Sequence, residues 1–169
     1  PISPCEQLKL DILQIADIVA REVLSQFAKL LQLVVDDAAQ MDVTEAEKCH
    51  LAKFVNLIEV SKHMEELNVL EIFDEVEMIL ELEDESDESA ALIEELLEKH
   101  GIEALEKHLD EIFQNFFMQL ENHIELYFIR NEHRLSTSPL DVWLTKFTNE
   151  KSMESKAMII EEIWDHLDC

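Results

Sequence analysis

An all-α fold is predicted: one domain spanning residues 1–169, a helical bundle of six or seven helices, two of them long. Three observations predict it. The 169 residues contain one Gly and three Pro, too few for the tight turns that sheets need. Leu, Glu, Ala, Lys, Gln and Met dominate, and these side chains lose little entropy in a helix. Apolar residues recur at steps of three and four along most of the chain. At 47% apolar the composition can fill a core, which separates it from a disordered acidic tail. No fixed period repeats, which argues against a solenoid.

The first helix start is Ser3-Pro4-Cys5-Glu6, an N-cap Ser, an N1 Pro and a Glu at N3. Leu8, Ile12, Ile15, Val19, Val23, Phe27, Leu30 and Val34 follow as one stripe and predict a helix from about residue 4 to 39. Asp36-Asp37, near the end of this helix, lacks the third Asp of a DDxxD magnesium motif and is assigned to a loop. Thr44-Glu45-Ala46-Glu47 is a second capping box. It opens a helix to about residue 67, with His50, Phe54, Leu57 and Ile58 inward. Asn68 caps a third helix with Val69, Phe73, Val76 and Leu80 as its stripe, and residues 83–89 form an acidic loop. A short helix then ends at His100-Gly101, where the single Gly suits a left-handed residue.

The next helix is long, about 102–133, with Leu105, Leu109, Ile112, Phe116, Leu120 and Tyr127 on one face. Ser138-Pro139 repeats the Ser-Pro start for a short helix carrying Trp143 and Phe147. A last helix, 152–167, is expected to bury Ile159, Ile160, Ile163 and Trp164. Helices of over 30 residues run roughly 45 Å. In so small a domain they either bend or project far enough for a homodimer to form along the projecting stripe.

Thirteen basic against 39 acidic residues give a formal charge of −26. Phosphate backbones and anionic membranes repel such a chain, so direct nucleic-acid binding and membrane docking are not expected. A basic protein partner is the natural complement. Cys5, Cys49 and Cys169 are odd in number and far apart, which reads as reduced thiols and a cytoplasmic protein. No secretory signal is visible, and no apolar run reaches membrane-spanning length.

The charge is uneven. From His63 through Glu98 there are 15 carboxylates and no Lys or Arg. Asp74, Glu77, Glu81, Asp84 and Glu88 follow a 3-4-3-4 spacing. On a helix they would form one column, at a cost of a few tenths of a kcal/mol per like-charged pair. The column is the expected partner-binding face. In a sharper version, carboxylates about 6 Å apart along a helix axis imitate a nucleic-acid backbone, as an inhibitor or immunity protein of a nucleic-acid-binding protein would. The bland alternative is a solvated face serving solubility.

Chemical motifs are sparse. Glu47-x-x-His50 puts a carboxylate and an imidazole on one face, as carboxylate-bridged metal bundles do, but it has no second copy. His123 is expected on the apolar face of the long second-half helix, in line with Leu109, Phe116 and Tyr127, and could join Glu47 and His50 around a metal; the alternative is a satisfied core histidine. Asp84, Ser86, Glu88 and Glu95 fit positions 1, 3, 5 and 12 of a calcium loop, yet Ser89 stands where Gly is required. Ser86 and Ser89 sit in acidic surroundings suited to phosphorylation. A single Gly excludes phosphate-cradling loops, and no nucleophile elbow, Cys-x-x-Cys or His-Glu-x-x-His is present. No cofactor is implied. The expectation is a non-enzymatic regulatory or interaction protein, with a helical metal protein or enzyme as the alternative.

Overall fold

The computed structural model describes residues 1–63, 90–131, 138–167 and 169. Among these the fold is all-α. Seven helices follow in order: α1 (Pro4–Ala38), α2 (Glu45–Ser61), α3 (Ala91–Lys99), α4 (Ile102–Asn131), α5 (Pro139–Asn149), α6 (Met153–Ile160) and α7 (Ile163–His166). Two are long, α1 with 35 residues and α4 with 30. The chain divides into two compact units, Pro1–Asp17 with Asp110–Cys169, and Ile18–Leu109. The division falls inside α1 and inside α4.

Helix starts form as the sequence dictates. The Ser3 N–H donates to Glu6 Oε2 at 2.9 Å, and the Glu6 N–H donates to Ser3 Oγ at 3.1 Å. The Thr44–Glu47 box closes in the same reciprocal way, at 2.9 and 3.2 Å. Ser138 Oγ accepts from the Asp141 N–H at 3.2 Å with Pro139 in the first turn. Each box satisfies backbone donors that a helix start leaves open.

The Ile18–Leu109 unit holds most of α1, α2, α3 and the first turns of α4. Its core joins Val23, Leu24, Phe27 and Leu31 of α1 to Phe54 and Leu57 of α2, and to Ile93 and Leu97 of α3. α3 packs against α2. Gly101 separates α3 from α4 at φ +100°. Its N–H donates back to the Leu97 and Glu98 carbonyls, and its own carbonyl accepts from Leu105 as α4 begins. His100 and the left-handed Gly101 therefore make the whole connection, and the positive φ is why Gly stands there.

α2 stops at Ser61, six residues short of the expected 67. The Ser61 hydroxyl donates to the Ile58 carbonyl, the acceptor that a continuing helix would offer to Lys62. The Lys62 N–H turns to Glu59 at 3.1 Å instead, and the last turn tightens. The expected third helix and the loop at 83–89 lie outside the described residues.

In the other unit Leu8, Ile12 and Ile15 of α1 and Ile112, Phe116, Phe117, Leu120, Ile124 and Phe128 of α4 are all buried. All eight stripe residues expected for α1, counted over both units, are buried. α5 packs against both α6 and α7. Trp143 and Phe147 stack at 5.0 Å, and Phe117 meets Phe147 edge-on at 5.4 Å. Lys156 caps this cluster, with Nζ 4.7 Å from the Phe147 centroid and 3.2 Å from Glu121 Oε1.

The expected helix 152–167 is two helices. Trp143 is 2% exposed, and its Nε1–H donates to the Ile159 carbonyl at 2.9 Å. A buried indole N–H requires such an acceptor. The same carbonyl accepts from the Glu162 N–H at 3.0 Å, so the chain tightens into a turn at 161–162 before α7 begins. Ile159 and Ile163 are buried as expected; Ile160 is half-buried and Trp164 is 39% exposed. The break turned Trp164 outward.

The cysteine reading is corrected for two of the three residues. Cys5 and Cys169 form a disulfide with Cα atoms 5.7 Å apart, while Cys49 is a free, exposed thiol. A bond across 164 residues of sequence has no spacing signature. The buried Leu167 brings Cys169 to the first turn of α1.

Two outcomes follow from these contacts. Trp143→Phe keeps the ring stack and removes the donor to Ile159; a loss of about 1–2 kcal/mol is expected in urea unfolding. Reduction, or Cys169→Ser, removes a cross-link worth about 5 kcal/mol in the chain-entropy account and roughly 2–4 in practice; the unfolding midpoint with and without reductant measures it.

Candidate functional site

Asp37, in the Ile18–Leu109 unit, is a carboxylate held by two side-chain partners. The sequence placed Asp36-Asp37 in a loop. Both instead complete the last turn of α1, because the apolar stripe continues to Ala38, 3% exposed. A carboxylate at a helix C-terminus opposes the macrodipole. Here the opposition is met by two donors from the end of α3. Asp37 Oδ2 accepts from Lys99 Nζ at 2.7 Å and from His100 Nε2 at 2.8 Å. The hydrogen bond from Lys99, then that from His100, holds the Asp37 carboxyl below its ordinary 3.8. Gln32 Nε2 donates to the neighbouring Asp36 at 2.9 Å.

A shallow groove of about 330 Å³ adjoins this cluster. Leu30, Leu33 and Leu105 give it an apolar floor, and Lys29, His100 and His108 bring nitrogen groups. Gln26, Gly101 and Ala104 complete the lining, with no carboxylate in it. His100, held by Asp37 through Nε2, has the arrangement of an oriented base. The lining holds no hydroxyl or thiol to serve as nucleophile beside it. Sequence reasoning missed Asp37, Lys99 and His100 as a group, since 62 and 63 residues separate the partners.

The expected metal candidates take separate roles. Glu47 is 8% exposed and serves the Thr44 capping box. His50 is half-buried on α2, and its Nδ1 is buried with no hydrogen-bond partner. His123 belongs to the other unit. It sits beside the apolar face of α4 rather than on it, with a side chain 39% exposed and Nδ1 3.9 Å from Asp11 Oδ2. Ile124 and Leu120 take the buried positions. Among the described residues no three His, Cys, Asp or Glu side chains are grouped so as to hold a metal ion. Among them, too, no helix is long and apolar enough to cross a membrane.

Asp74, Glu77, Glu81, Asp84 and Glu88, the expected partner-binding column, lie outside the described residues, as do Ser86 and Ser89. No protein-family model matches the chain. No curated protein and no solved structure matches it either.

The Asp37 cluster has a pH signature. Its carboxyl is depressed in the folded chain, so the stability it contributes is present above pH 3.8 and is lost as pH falls through the folded value. Wild type should exceed Asp37→Asn in stability at neutral pH, and the gap should close in acid. Urea titrations of both proteins from neutral to acid pH measure this.

Proposed function

We propose that the chain is a non-enzymatic interaction or regulatory protein that binds a basic partner through its acidic middle region. One observation carries the reading: 15 carboxylates and no Lys or Arg from His63 through Glu98. Even complete one-to-one pairing of the 13 basic residues would leave 26 of the 39 carboxylates over. Several lysines are engaged elsewhere: Lys48 with Glu45, Lys62 with Glu59, Lys99 with Asp37, Lys146 with Glu162 and Lys156 with Glu121. A field of this sign steers a cationic surface inward and weakens as salt screens it.

Asp74, Glu77, Glu81, Asp84 and Glu88 are the proposed contacts. A partner that normally binds nucleic acid is the sharper form of the same reading, with the column standing in for phosphates. The cytoplasmic placement belongs to this proposal as well. There, Cys5 and Cys169 would be held as thiols, whereas an oxidising compartment would preserve their bond.

The test is binding of oligolysine at rising salt. Glu77→Lys with Glu81→Lys should lower affinity several-fold and flatten the salt dependence. The control, Glu154→Lys with Glu161→Lys, changes net charge equally but outside the run, and it should cost less. Equal losses in both would show that only total charge matters and that the column is no docking face.

A further inference from the structure

One face of α4 departs from the charged character of the chain. At 100° per residue, Asn115, Met118, Asn122, Leu126 and Ile129 fall within about 40° of one line along the helix. All five are exposed, Met118 by 61% and Ile129 by 68%. All five lie in the unit that contains residues 110–169. From Ile112 to Ile124 the one charged residue is Glu121, which is tied to Lys156. Charged residues make up 31% of the sequence, so an uncharged outward strip of four turns is against the composition.

We infer that this strip pairs with the same strip of a second copy, the two α4 helices antiparallel about a twofold axis at Asn122. The sequence of the strip is self-complementary in that register. Met118 meets Leu126 of the second copy and Leu126 meets Met118, while Asn115 and Ile129 meet at each end. Asn122 meets itself at the centre, where paired amides can exchange hydrogen bonds and fix the register. Glu125 comes opposite Gln119 rather than another carboxylate. An isologous contact of this kind closes at two copies.

Charge selects the occupant. Two chains of −26 repel wherever carboxylates face each other, and this strip lets them meet without doing so. Four turns of one helix make a small contact beside the interfaces of stable complexes. The dimer is therefore weak and concentration-dependent. Its salt response is opposite to that of a basic partner, because salt screens the repulsion between copies.

Sedimentation equilibrium of the full chain at millimolar protein, in low and in molar salt, tests it. The expected result is a monomer–dimer equilibrium that tightens several-fold with salt. Met118→Gln with Leu126→Gln should abolish the dimer without changing helicity by circular dichroism. In a Cys49→Ser background, Asn122→Cys should be cross-linked to itself by a short bis-maleimide, and Gln114→Cys should not. A monomer under all conditions, a dimer that survives the double glutamine variant, or a failure of Asn122→Cys to cross-link would each overturn the inference.

Discussion

Burial of narrow apolar stripes against a large uncompensated negative charge is the constraint on which the rest of the structure depends. Thirty-nine carboxylates face thirteen basic residues, and self-repulsion favours expansion of the chain. The fold answers by making the stripes complete. α1 buries every third or fourth residue from Leu8 to Ala38. Phe27, Phe54, Trp143 and Phe147 are each less than 2% exposed or close to it. Stability in such a chain is a small difference between burial, ordering entropy and repulsion.

Scarce cations are consequently used where they act twice. Lys156 neutralises Glu121 and lies over the rings of Phe117 and Phe147. Lys99 relieves a carboxylate at the end of α1 from the end of α3. The partly buried placement of Lys156 and Glu121 strengthens that contact relative to a fully solvated pair, since less water screens it. Lys48 with Glu45 and Lys62 with Glu59 are exposed helical neighbours, and pairs of that kind contribute little.

Function was less legible than fold for a physical reason. Charge density can be read from composition, whereas a site requires side chains brought together from distant positions. The capping boxes at Ser3 and Thr44 and the N-cap at Ser138 were readable because each partner lies three residues away. Asp37 with His100, and Trp143 with the Ile159 carbonyl, were not. His50 and His123 were singled out as chemical candidates, yet they occur in different units, one with a buried nitrogen lacking a partner and the other beside Asp11.

The amino-acid sequence by itself determined the helix starts, the buried face of α1, the Gly101 connection and the sign of the electrostatic field. Each follows from spacing of at most four residues or from a sum over residues. Of the face expected for α4, Leu109, Ile112, Phe116 and Leu120 are buried, whereas Leu105 and Tyr127 are half-buried and Phe117, Ile124 and Phe128 are buried in addition. Only the tertiary structure decided where α2 stops, where the last helix breaks, that Asp37 meets Lys99 and His100, and that Cys5 reaches Cys169. Those outcomes turn on which polar group captures which acceptor across the fold, and on which apolar residue draws a chain end inward. Periodicity along one helix carries no record of partners on another.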